Sequence, residues 1–179
     1  MSEHKEDLEA LQTALQMEQD GREFYQKAAA RVHNPLAKRT LNWLADWELE
    51  HIALIKKFYT SLKEADHWGD VREAIKDEPS PKQEVKTIFK EAQEQIDELV
   101  KPDDEALEAY KTARDFENKA VQFYQERLNK VTDPDGKVFY QFMLEQEQEH
   151  YEILDNSYRY LENPELWHSE EEGWMFDGG

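Results

Sequence analysis

Glu48-Leu49-Glu50-His51 is answered 99 positions later by Glu147-Gln148-Glu149-His150. Upstream, Glu18 and Tyr25 recur at the same displacement as Glu117 and Tyr124. Aligned at that offset, residues 6–62 and 105–161 share 18 identities in 57 positions. Chance would supply roughly 3 or 4, so the chain carries an internal repeat, one helical hairpin written twice. The repeat also filters a weak motif. Glu-x-x-His occurs four times in the 179 residues, at Glu48/His51, Glu64/His67, Glu147/His150 and Glu165/His168. Only the first and third pairs share the offset and have an upstream Glu 30 positions before.

Working outward, residues 5–32 read as an amphipathic helix, with Leu8, Leu11, Leu15, Glu18, Tyr25, Ala29 and Val32 near one broad face. Asn34-Pro35 sets a capping residue before proline at the first position of a second helix, about 35–65. Its twin Asp133-Pro134 opens a fourth helix, about 134–162, after a third over 104–130 capped by Asp103 or Asp104. Between the hairpins, 66–101 reads as a long crossover. Gly69, Pro79 and Pro81 break it, a short helical turn falls around Val71 and Ile75, and an extra amphipathic helix runs over 82–100. Residues 163–179 form an acidic tail with Trp167, Trp174 and Phe176, expected to dock on the bundle or on a partner subunit. The fold predicted is all-α, an antiparallel four-helix bundle over 1–162 followed by that tail.

Composition narrows the function. With 35% charged residues and 39% hydrophobic, the helices must have solvated faces. A net charge of −19 opposes binding to nucleic acid, whose phosphates require Lys and Arg. No apolar run approaches the ~18 residues of a membrane span, and no leader pattern opens the chain, so a soluble cytoplasmic protein is expected. Zero cysteine removes thiolate catalysis and Cys-ligated zinc or iron–sulfur centres.

Residues three apart on a helix lie within about 60° of each other, so Glu48 and His51 can reach one metal ion, as can Glu147 and His150. Glu18 and Glu117 add one carboxylate each from the other helices. Four buried carboxylates repel unless compensated, and two divalent cations balance them while neutral imidazoles add nothing. Oxygen and nitrogen ligands without sulfur suit Fe²⁺, Mn²⁺ or Zn²⁺. In this arrangement Glu48 and Glu147 bridge, and Glu18 and Glu117 are terminal. Tyr25 and Tyr124, two turns beyond those terminal ligands, either donate to a ligating carboxylate, pass an electron or fill core. Glu50 and Glu149 are expected to face solvent, His4, His33, His67 and His168 to lie at the surface, Phe24 and Phe123 to pack, and Trp43 and Trp47 to serve core or interface.

This pattern of Glu, then Glu-x-x-His, then both again resembles the ferritin-like di-iron carboxylate superfamily, and within it rubrerythrins lacking the rubredoxin domain. The resemblance covers residues 5–162, and the two near-symmetric halves resemble members with visible internal symmetry. It implies two iron ions held by Glu18, Glu48, His51, Glu117, Glu147 and His150. It further implies reduction of hydrogen peroxide, or reaction with dioxygen, fed by an external electron-donor protein. Rubrerythrins carry a further Glu three residues after the helix-three ligand, which exchanges with a His. Ala120 stands there, and Gly21 at its twin, so the resemblance leaves that exchange open. The remaining six resemble bacterioferritin-type ferroxidase centres as well, which leaves iron storage as an alternative, and a non-catalytic metal-stabilised interaction protein as another. A homo-oligomer, a dimer first, is expected.

Overall fold

The computed structural model describes residues 4–82, 85 and 103–163. Five helices are placed among them: α1 (Lys5–Arg31), α2 (Pro35–Ala65), α3 (Val71–Ile75), α4 (Asp104–Lys130) and α5 (Pro134–Glu162). No strand occurs among the described residues. The architecture is the expected all-α bundle, with α1–α2 and α4–α5 as its two hairpins. The extra helix read over 82–100 and the aromatic tail lie outside the described residues, apart from Lys82, Val85 and Asn163.

The repeat in the sequence becomes a repeat in burial. On α1 the buried face holds Leu11, Ala14, Glu18, Gly21 and Tyr25; on α4 it holds Tyr110, Ala113, Glu117, Ala120 and Tyr124, position for position. Likewise α2 buries Leu41, Leu44, Glu48, His51 and Ile55, and α5 buries Tyr140, Met143, Glu147, His150 and Leu154. Both hairpins therefore turn the same register inward, and a spacing of three and four residues makes that register one stripe.

Side-chain caps fix where the helices begin. Asn34 accepts from the Ala37 amide at 3.0 Å, and Asp133 accepts from Asp135 and Gly136 at 2.8 and 3.1 Å. Asp103 does more than cap. One oxygen accepts from Glu105 and Ala106 at the start of α4, and the other accepts from the amides of His33 and Asn34 at 2.9 Å each. Burial opposes its ionisation, but these four amides outweigh it and hold the carboxyl below its usual range. The α1–α2 turn is thus tied to the second hairpin.

Two apolar clusters occupy the ends of the bundle. One gathers Tyr25, Leu41, Leu44, Tyr110, Ile153 and Leu154, the other Leu11, Ile55, Phe58, Tyr124, Phe139 and Met143. The polar residues of the repeat form a layer between them.

The crossover contributes to the core through Trp68, only 1% exposed and packed on Phe58, Phe139 and Tyr140. Gly136 makes room for it: a Cβ there would stand 2.8 Å from the indole and 2.7 Å from Val131 Cγ2. Gly136→Ala should therefore destabilise by about 1–3 kcal/mol despite the better helix propensity of alanine. Thermal denaturation reads it directly. In a Trp68→Ala background the same change should cost little or be favourable, and an equal penalty in both backgrounds would refute the packing argument.

Candidate metal centre

The polar layer is made by α1, α2, α4 and α5 together. Glu18, Glu48, His51, Glu117, Glu147 and His150 are each at most 3% exposed, so the structure brings all six sequence-selected residues into one buried group. One ligand atom from each of Glu48, His51, Glu147 and His150 lies within 4.8 Å of the others. His51 Nδ1 approaches Glu147 Oε1 at 3.0 Å and Glu18 and Glu48 Oε2 at 3.6 Å each. His150 Nδ1 approaches Glu147 Oε2 at 3.5 Å and the Oε1 atoms of Glu48 and Glu117 at 3.8 Å. The two imidazoles lie nearly parallel, 5.2 Å between centroids. Each Glu-x-x-His therefore faces carboxylates from the other hairpin as well as its own.

The tyrosines cross between hairpins. Tyr25 donates to Glu117, and Tyr124 donates to Glu18. Of the roles open to them from sequence, the hydrogen bond to a carboxylate is realised, and both rings also fill core. Burial first, then the negative charge of Glu117 and Glu18 respectively, push the two phenols well above their ordinary pKa, so each keeps its proton and stays a donor.

Burial likewise raises Glu48, Glu117 and Glu147, with repulsion from Glu18 on Glu48 and Glu147 and from Glu147 on Glu117 adding to it. Glu18 goes the other way, to about 2: burial opposes ionisation, but the neighbouring Glu48 carboxyl, the His51 imidazole 3.6 Å away and the Tyr124 hydroxyl that donates to it outweigh it. Against burial, Glu147 and its carboxylate neighbours hold His51 well above its ordinary value, whereas burial lowers His150 to about 4. Without a cation beside it, this layer therefore favours taking up protons.

The donor atoms agree. Glu48 Oε2, both oxygens of Glu147 and all four ring nitrogens of His51 and His150 are buried without a hydrogen-bond partner. Seven orphaned atoms of this kind would each cost about 1–3 kcal/mol if nothing satisfied them. All are oxygen or imidazole nitrogen, the set that holds first-row divalent metals. The residues present therefore fit a metal pair.

A profile of the family described as Rubrerythrin matches residues 9–158. The chain belongs to the rubrerythrin family. The matched span contains every one of the six residues. A hypothetical protein from Pyrococcus furiosus has a similar fold, with a TM-score of 0.61 at 20% identity, covering 87% of this chain and 90% of that one. No curated protein matches the chain.

Around the centre, several single-residue expectations change. Glu50 is exposed as expected, but its twin Glu149 is half-buried, accepting from Ser80 Oγ at 2.6 Å and the Lys82 amide at 3.1 Å. It holds the crossover rather than facing solvent. His4 is half-buried beside Asp7 at 3.4 Å, while His33 and His67 are exposed; His168 lies outside the described residues. Phe24 stacks on Phe116 and Phe123 packs on Tyr124. Trp43 and Trp47 sit against the imidazoles; the four-residue spacing Trp43–Trp47–His51 on α2 is the signal that could have shown it, whereas the repeat hides it because their repeat positions are Phe142 and Gln146.

A cleft of about 130 Å³ opens between α1 and α4 onto Glu18, Glu48, Glu117 and Glu147. Gly21, Ala120, Met17 and Phe116 wall it, with Asp20 and Lys119 also lining it. Among the described residues no helix is long and apolar enough to cross a membrane.

Proposed function

We propose that this protein is a di-iron oxidoreductase that reduces hydrogen peroxide to water with electrons from an external donor. The observation that carries the reading is the buried set of two imidazoles and four carboxylates with its orphaned donor atoms. Two iron ions, when bound, supply Lewis acidity and the two electrons that peroxide reduction consumes. Glu48 and Glu147 are placed between both histidines and would bridge; Glu18 and Glu117 would be terminal, each held in place by a phenol from the opposite hairpin. The reaction takes two protons and two electrons per peroxide and releases two waters. No side chain has to act as a nucleophile.

The cleft beside Gly21 and Ala120 is the entry assigned to peroxide. Its ~130 Å³ holds a molecule that small with water to spare, given about 30 Å³ per water in the liquid. A Cβ on Gly21 would lie 3.8 Å from Glu48 Cδ, an ordinary contact, so alanine is accommodated there. Gly21→Ala should raise helix stability by up to about 1 kcal/mol. Gly21→Leu should leave iron stoichiometry intact while slowing oxidation by peroxide several-fold in stopped-flow absorbance. Unchanged kinetics in the leucine variant would remove this cleft as the entrance.

The function itself is tested by anaerobic Fe²⁺ titration, each aliquot oxidised with hydrogen peroxide and followed at the oxo-ferric absorbance. A break at two iron per chain, with turnover when a reductant is supplied, supports the peroxidase. Uptake far beyond two indicates ferroxidase-driven storage, and no saturable signal sinks the di-iron reading.

A further inference from the structure

Trp43 and Trp47 have no part in holding a metal, yet Trp47 lies against both imidazoles and Trp43 against that of His150. Trp47 lies edge-on to His51 and His150, with centroids at 6.2 and 5.9 Å. Trp43 lies edge-on to His150 at 6.1 Å and to Trp47 at 5.8 Å. Trp47 is buried, whereas Trp43 is half-buried, so the pair runs from the ligand layer toward the outside. Both line a second groove of about 370 Å³, with Asp46, Glu50, Glu78 and Pro79.

All three charged residues there are exposed carboxylates, and no basic side chain lines the groove among the described residues. The larger groove between α1 and α4 differs: Lys27 and Arg31 line it alongside Glu105 and Glu108. The acidic lining is therefore local and is more than the net charge of the chain spread evenly. It is also separate from the cleft assigned to peroxide, which reaches the carboxylates between α1 and α4.

We infer that the groove of Trp43, Asp46, Trp47, Glu50 and Glu78 is the docking site for a one-electron carrier protein with a basic face, and that the two indoles carry its electrons to His51 and His150. This rests on the di-iron peroxidase reading above. The carboxylates supply charge complementarity, which sets encounter rate and orientation more than affinity. The indoles supply a path of rings in near contact, so that the carrier need not approach the buried layer itself. The chain has no cysteine and thus no thiolate-held redox centre of its own within these 179 residues. For each hydrogen peroxide, two carriers are each oxidised by one electron, two protons are taken up, and two waters form. Oxidant and reductant then use different faces of the bundle.

The test uses reduced cytochrome c, a basic one-electron haem protein, and dithionite as a small reductant that needs no docking. Binding of the cytochrome to the full chain without iron is measured by calorimetry at low and high salt. The triple change Asp46→Lys, Glu50→Lys and Glu78→Lys should weaken binding at least tenfold at low salt. The triple change Glu9→Lys, Glu23→Lys and Glu126→Lys shifts net charge equally at exposed positions on α1 and α4, and should not. Equal weakening by both sets would mean diffuse attraction and would overturn the docking site. On the iron-loaded, peroxide-oxidised chain, Trp47→Leu should lower the ratio of the reduction rate at saturating cytochrome to the dithionite-driven rate at least tenfold, a comparison that any change in cytochrome affinity leaves untouched. A wild-type ratio would overturn the indole route. Failure of the di-iron reading is separately visible: the wild-type loaded chain would show no oxidation by peroxide, whatever the cytochrome binds.

Discussion

Glu48→Gln should abolish the metal pair and, in the metal-free chain, stabilise the fold above neutral pH. The two effects have one cause. Glu48 is buried beside Glu18, and both burial and that neighbour push its carboxyl toward the protonated form. A neutral amide of the same shape reproduces that protonated form, so at pH 5 the metal-free variant and wild type should melt together. At pH 8 the wild type must either ionise Glu48 against its surroundings or hold a proton at increasing cost, and Gln does neither. The gain there should be about 1–3 kcal/mol, the scale of one unsatisfied buried polar group. Iron loading reverses the ranking. If Glu48 holds metal as proposed, loss of its carboxylate should drop the stoichiometry below two per chain, and peroxide turnover should fall by more than the roughly 10–100-fold typical of disturbing a residue behind the ligands. Calorimetry of the metal-free proteins at the two pH values, with iron titration of both, checks it. A metal-free variant less stable than wild type at pH 8 would show that Glu48 serves structure rather than metal. Glu147→Gln tests the same position in the second hairpin, but its Oε1 is 3.0 Å from His51 Nδ1, so the stability gain there should be smaller.

Much of this was legible because the repeat converts weak local signals into paired ones. A lone Glu-x-x-His is uninformative in a chain with 41 acidic residues, and two at one offset, each with its upstream Glu, are not. Helix starts were equally readable, since Asn34-Pro35 and Asp133-Pro134 cap by side-chain chemistry that depends on neighbours in sequence. What the sequence withheld was tertiary. Tyr25 follows Glu18 on its own helix but donates to Glu117, because the antiparallel packing of α1 on α4 sets which carboxylate a phenol meets. Trp68 belongs to a Gly- and Pro-broken connection that reads as loose, yet it fills core opposite Gly136, a pairing 68 residues apart. The twins Glu50 and Glu149 separate for a similar reason. The crossover passes over α5, so only Glu149 finds Ser80 and the Lys82 amide to bind. Symmetry in sequence predicts symmetry only where both hairpins face each other.

Removing the metals should destabilise the chain more as pH rises. In the metal-free protein Glu48, Glu117, Glu147 and His51 have folded pKa values above their unfolded ones. Such groups contribute stability that is complete below the unfolded value and is lost as pH climbs through the folded one. Glu18 at about 2 and His150 at about 4 have the opposite sign: their contributions are complete above the ordinary values of 4.5 and 6.5 and fade only as pH falls. About a unit above pH 6.5 the depressed pair is flat, and nearer 6.5 His150 only softens the slope, so the raised groups set its direction, which is downward. The loaded chain behaves differently, because two divalent cations offset four ionised carboxylates and binding releases the protons those groups held. Metal at about 100 times its Kd contributes roughly 2.7 kcal/mol per ion. For a chain of this size that is about 5–10 °C in Tm. The gap between loaded and metal-free Tm should widen steadily from pH 6.5 to 8.5, with protons released on binding in a weakly buffered titration. A metal-free Tm that rises over that range would contradict the buried-carboxylate account at its root, because three raised glutamates and a raised histidine can only lower stability as they lose their protons.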